Sequence, residues 1–449
     1  MKDIEAGTPG YELHASPKPG SVAGAGNEEP LPHPSIWLLL AVSMPRMAIQ
    51  MAWSAQWAAL GPYLSTMLSN SSVQLTQFIG PIVGVIIGPS IGVFSDRTTS
   101  RLGRRRPYLI VAGVLSVICW IAMGYTREIG EALGDHGDGG DGNMDRKWTS
   151  VFTIIFYAWM DITVNIVQTP AMLLVADFAG DRQTTGAALG QAWSTLGSIV
   201  IAVYIDIFGA AYKTMHWFMG TLSVITIVCV IVACVFAHET PLDPSKVDKS
   251  SAWVQVKGAF YSVYLGIKTL PAVLVVYGIG FFFVQYGYTA YNGNKGQFFG
   301  LEVYGGSAAN ADSCDPCSDA QNAYNDGVSL AGGTADLLYN IVGYVYSWCI
   351  PFLVSKFGLK WVLTLSTIPQ MFLLIMAWVG NKGFDVFVVA ITGMTSSIWF
   401  SCILLNYAIG AAIVNTSLGY KLPVFLGGVM SALGFFVSAI FLKIKMYSL

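Results

Sequence analysis

Seven ionisable residues stand in stretches otherwise apolar enough to cross a bilayer: Arg46, Asp161, Asp177, Asp206, Lys268, Asp336 and Asp385. A charge at that depth costs at least ~2.5 kcal/mol, so each calls for a partner or a task. Burial and a neighbouring arginine pull a carboxyl's proton affinity in opposite directions, so a carboxyl between the two can switch its proton. Asp385 and Asp206 fall at span ends, where a solvated role is expected. Asp161 and Asp177 share one span. Sixteen residues separate them, about 24 Å of helix, too far for one compact site. Asp161 reads as a partner for a neighbouring helix, with contact to a solute in the outer half as the alternative. Around these groups lie amides and rings: Trp53 with Gln56, Asn165 with Gln168, then Trp193, then Gln285, Tyr288 and Asn292. Spacings of three and four put each set on one helical face. Amides beside aromatic faces suit a solute rich in hydroxyls. Any single one serves equally well as a bridge between helices or as an interfacial ring.

The elements that hold these residues are membrane helices. Hydrophobic residues make up 54% of the 449-residue chain and charged ones 11%, roughly half the charged share of a soluble domain. The net charge of -2 gives no pull toward nucleic acid. Apolar runs of about 20 residues, each long enough for the ~30 Å core, recur along the chain. Spans are expected at 36–66, 73–95, 107–126, 148–178, 185–210, 215–237, 258–291, 329–354, 359–379, 384–416 and 422–442. The glycines 80, 84, 88 and 92 recur every four residues, so a second helix can approach that face closely. Asp96, Arg97, Arg101, Arg104, Arg105 and Arg106 then crowd one short loop, which marks the cytoplasmic side.

That topology puts residues 1–34, polar and rich in Gly and Pro, inside as a disordered tail. Residues 35–238 form an N-terminal membrane block, 239–257 a cytoplasmic connector, and 258–449 a C-terminal block. The acidic, glycine-rich 128–145 and the large loop 292–327 fall outside. Cys314 and Cys317, in a CDPC run, are expected there as a local disulfide or as two free thiols. Asn70-Ser71-Ser72 is a glycan acceptor by pattern. A basic loop at Lys356 and Lys360 echoes the first, as in a transporter of two parallel halves. Eleven spans, however, leave Lys443 and Lys445 outside, against the positive-inside tendency. About one helix of the second block is therefore expected to be missing or fused. No phosphate loop, zinc or nucleophile motif of an enzyme is present, and no cofactor is implied.

Gly92-x-x-x-Asp96-Arg97 followed by Gly103-Arg104-Arg105 resembles the signature loop of the major facilitator superfamily. The longer form Ser95–Pro107 is similar to the glycoside–pentoside–hexuronide cation symporters, and most to their plant-sucrose-transporter-like branch. Gln50–Gln56, Asn165-x-x-Gln168-x-Pro170, Leu174-x-Ala176-Asp177, Leu405-Asn406 and Lys421–Pro423 resemble that branch as well. The chain departs from it at Met172, where the branch has arginine, and at Gly197-Ser198, where it has Gly-Asn. Between Thr395 and Leu405 it jumps from the branch's tenth helix to its eleventh; an incomplete gene model, a splice variant or a degenerate transporter each fits. The resemblance implies an all-α polytopic fold of two six-helix halves and a proton-coupled sugar symporter working by alternating access. A sugar such as sucrose, maltose or a hexose, protons and lipid are the expected partners. A non-transporting sugar sensor and an organellar exporter are the alternatives. The plasma membrane is the expected location, a vacuolar or other organellar membrane the second. Asp177, matched to the branch's span-four aspartate, is implied to couple the proton, with Arg46 as counter-charge; capping of the span end is the bland reading. Trp53, Gln56, Asn165, Gln168, Trp193, Gln285 and Tyr288 are the expected sugar contacts. Asp96, Arg97, Arg101, Arg104 and Arg105 are the expected conformational latch.

Overall fold

The computed structural model describes residues 34–136, 145–242, 251–270, 272–397 and 421–442. Among them, secondary structure is helical apart from one bridge between His136 and Asp145. The principal helices are α1 (Ile36–Ser65), α2 (Asn70–Asp96), α3 (Arg106–Gly124) and α4 (Lys147–Ala179). Then follow α5 (Gln183–Phe208), α6 (Met215–Phe236), α7 (Ala252–Lys268) and α8 (Ala272–Asn292). The chain continues with α9 (Asp319–Leu330), α10 (Asp336–Phe357) and α11 (Leu359–Val379). It closes with α12 (Lys382–Ser396) and α13 (Lys421–Phe441). Seven helices among the described residues are long and apolar enough to cross a membrane. In the first block α1 packs on α5, α3 on α4 and α6, and α2 on α4. In the second, α8 packs on α13 and α10 on α12.

Four expectations change. The span at 258–291 is two helices, α7 and α8, with the chain broken around Thr269 and Leu270. The loop 292–327 is largely ordered: Lys295–Val303 and α9 are helical, and Tyr324 and Val328 are buried in one core with α1 and α6. Thr126–Ala132, which runs into the acidic, glycine-rich segment expected as an outside loop, is a short helix. Its end leads to Asp135, whose carboxylate accepts the N–H groups of Trp148 and Thr149 at 3.0 and 2.7 Å and so caps α4. Asp385 is 0% exposed rather than solvated, because its flanks pack on Phe298, Phe299 and Val424. Cys314 and Cys317 form a disulfide. The tail expected at 1–34, apart from Pro34, and the helix loss expected between Thr395 and Leu405, apart from 395–397, lie outside the described residues.

Candidate functional site

The glycine stripe of α2 meets a polar stripe of α4 with the same four-residue period. A Cβ at position 80 would lie 2.8 Å from both carboxylate oxygens of Asp161, and one at 84 would lie 3.2 Å from Asn165 Oδ1. Gly88 faces Thr169. The glycines therefore make room for side chains that α4 turns toward them. Asp161 is 1% exposed. Its Oδ1 accepts a 2.6 Å hydrogen bond from Gln56 Nε2, while Oδ2 has no partner among the described residues. A buried carboxylate oxygen left unsatisfied is costly, which makes this group a functional candidate rather than a structural bridge alone.

Gln56 owes its position to a local fault in α1. Pro62 has no N–H to offer the carbonyl four residues back. The backbone widens into a π turn over Gln56–Leu60, with the Gly61 N–H reaching Gln56 O. Such turns recur at functional sites because they redirect side chains. One turn earlier, Trp53 Nε1 donates to Gln168 Oε1 of α4 at 3.1 Å. Trp53 stacks with Trp57 at 6.3 Å between centroids, Trp57 meets Tyr288 of α8 edge-on at 6.3 Å, and Tyr288 stacks with Tyr339 of α10 at 6.3 Å. This run of rings crosses from the first block to the second beside the Gln56–Asp161 pair. Asn165 spends its Nδ2 on the Asp161 backbone carbonyl at 2.8 Å. Gln285 is buried at 2% exposure on α8. Trp57 and Tyr339 were not singled out in the sequence; Trp57 carried a signal, one and four residues after Gln56 and Trp53.

The remaining predicted residues fall elsewhere. Trp193 donates its Nε1 to Leu40 O at 3.0 Å and so fastens α5 to α1. Arg46 lies over Gly190 of α5 and donates to Ser194 Oγ at 3.4 Å. Asp177 sits at the arginine-rich end, its side chain 31% exposed, with Arg105 Nε at 3.2 Å and Arg104 Nη2 at 3.4 Å. It belongs with the loop residues, not with the amides. Arg105 is the centre of that cluster: its side chain is 4% exposed, its Nη2 lies 2.5 Å from Asp96 Oδ1, and its Nη1 donates to Ser95 Oγ at 2.5 Å. Glu239 accepts the backbone N–H groups of Arg105 and Arg106 at 3.0 and 2.9 Å, tying the end of the first block to the loop. Gly103, at φ 100°, lets the chain turn against Glu239 where a Cβ would clash. Arg101 is exposed.

At the opposite end the blocks clasp each other. Arg146 Nη1 donates to both carboxylate oxygens of Asp312 at 2.6 Å, with the two side chains 7% and 3% exposed. Tyr212 Oη donates to Asn325 Oδ1 at 2.6 Å, Tyr324 Oη to Pro62 O at 3.1 Å, and Gln74 to Asn294. A second buried ion pair, Lys295 with Asp336, lies within the second block.

Residues 41–295, more than half of the chain, match the family described as MFS/sugar transport protein. The sucrose transport protein SUT5 of Oryza sativa subsp. indica is 28% identical over 349 residues, covering 71% of this chain and 61% of that protein. The sucrose transport protein SUC3 of Arabidopsis thaliana is 29% identical over 265 residues, covering 54% of this chain and 43% of that protein. The chain thus spans less than two thirds of the length of these relatives. Among solved structures, the xylose transporter XylE from E. coli, in a partially occluded inward open conformation, aligns with a TM-score of 0.52 at 14% identity, over 91% of this chain and 97% of that one. The nucleoside transporter NupG aligns with a TM-score of 0.51 at 12% identity, over 89% and 88%. These likenesses establish the fold, that of the major facilitator superfamily.

Proposed function

The chain belongs to the MFS/sugar transport protein family and is a multi-pass membrane protein; on that premise we propose that it carries a sugar across the membrane together with a proton, by alternating access. The observation that carries the reading is the Asp161 carboxyl, buried, hydrogen-bonded at one oxygen to Gln56 and without a partner among the described residues at the other, beside rings contributed by both blocks. A sugar ring stacked on Trp57 or Tyr288 would offer hydroxyls to Gln56, and the proton on Asp161 would remove the charge that opposes closing the site around it. Asp161 is thus the coupling group in this reading, and Asp177 a member of the latch. Arg146 with Asp312 would hold the far end shut while the arginine end opens, and release when the blocks rock the other way. If the arginine end is cytoplasmic, the disulfide Cys314–Cys317 faces an oxidising space, which favours residence at the plasma membrane.

The test is uptake of labelled sucrose, maltose and glucose in proteoliposomes with an imposed proton gradient. Accumulation that collapses with a protonophore, and is lost in Asp161→Asn while counterflow exchange persists, is the expected result. Accumulation in Asp161→Asn equal to wild type would remove the proposal.

A further inference from the structure

On the wall formed by α3 and α6, the described surface holds a groove of about 440 Å³. Its lining is aliphatic along most of its length, from Val117 and Thr226 past Gly113 and Val230 to Arg106 at the arginine-rich end. Gly113 deepens it: a Cβ there would stand 3.2 Å from Val230 Cγ2. From Arg106 to Ile118 the helix rises about 18 Å, close to the ~15 Å of hydrocarbon in one leaflet. That is the length of one acyl chain. At its polar end Arg106 meets Cys234 through its side chain, and its Nε has no hydrogen-bond partner among the described residues. The nearby carboxylate of Glu239 is occupied by the backbone N–H groups of Arg105 and Arg106. Arg101, exposed on the same loop, adds positive charge, whereas Arg104 and Arg105 are taken up by Asp177 and Asp96.

We propose that this groove binds one anionic phospholipid of the leaflet at the arginine-rich end, an acyl chain lying between α3 and α6 and the phosphate at Arg106. A zwitterionic headgroup gains less, because its ammonium would face the arginines. A free phosphate lacks the chain that the groove accommodates. The site does not depend on which solute is carried or on the role of Asp161.

The full-length chain, purified in detergent and mixed with phosphatidylglycerol and phosphatidylcholine of identical acyl chains, tests this by native mass spectrometry. Wild type is expected to retain phosphatidylglycerol over phosphatidylcholine by about fivefold, the preference that one basic residue gives near an anionic headgroup. Arg106→Gln should abolish the preference and Arg106→Lys should keep it. Val117→Trp, which fills the groove without touching charge, should lower retention of both lipids. Equal retention of the two lipids by wild type, or an undiminished preference in Arg106→Gln, would overturn the proposal. If Val117→Trp does not fold, the contrast between the Gln and Lys variants decides it.

Discussion

Asp161 and Asp177 are the same residue type on the same helix, yet their surroundings differ. Asp161 lies against Gly80, 1% exposed, with one amide donor and one oxygen without a partner among the described residues. Asp177 is 31% exposed and takes two guanidinium partners. Asp177 is placed by its two partners to hold the loop that carries Arg104 and Arg105. Asp161, with Gln56 as its one side-chain partner among the described residues, is the group on which the proposed coupling rests. The contrast teaches that depth along α4, not the sequence motif around each aspartate, sets what surrounds it.

The strongest way to break this contrast is Asp161→Asn. It should eliminate gradient-driven accumulation altogether, since a coupling of about 1–3 kcal/mol between proton and sugar disappears with the titrating group; flux with and without a proton gradient reads this directly. At the clasp, where both partners are buried, Arg146→Ala removes the guanidinium that answers both Asp312 oxygens. A loss of about 3–5 kcal/mol in stability is expected, and a thermal melt in detergent beside the double variant with Asp312→Ala measures it. Arg105→Ala, at the latch, should cost roughly 2–3 kcal/mol, less than a fully enclosed pair because Asp96 and Asp177 reach water. Unchanged melting would show that the loop is no latch.

Two smaller effects sharpen the comparison. Burial pushes the Asp135 carboxyl up, but the N–H groups of Thr149 and Trp148, the Thr149 hydroxyl and Arg146 outweigh it and hold the group below the usual carboxylate range. With its folded value depressed, Asp135 stabilises the far end of α4 fully above its ordinary value near ~3.9. That contribution fades as the pH falls through the lower folded value. Asp135→Asn should therefore cost about 1 kcal/mol at neutral pH and flatten this part of the acid melt. Asp177→Asn should cost under about 1 kcal/mol, as half-exposed ion pairs do, and should leave accumulation in place.

Much of this architecture was legible in the chain. The four-residue glycine period announced a close helix contact, and the arginines announced a loop between spans. The partner face could not be read, because Asp161, Asn165 and Thr169 share their period with any helix face, and only packing selects which one meets the glycines. The buried end of α12 was hidden for a related reason: Asp385 lies in the first turn after Asn381, where chain position alone predicts water. Resemblance fixed attention on Asp177 because it closes a motif, whereas burial is a property of neighbours that a motif does not contain. The clasp joins residues far apart in sequence, and no local pattern links Arg146 to Asp312.

The most direct measurement is proton uptake on sugar addition, followed with an internal pH dye in proteoliposomes holding wild type, Asp161→Asn or Asp177→Asn. The account predicts acidification of the lumen with wild type and with Asp177→Asn, and none with Asp161→Asn. Acidification that survives in Asp161→Asn and vanishes in Asp177→Asn would contradict it.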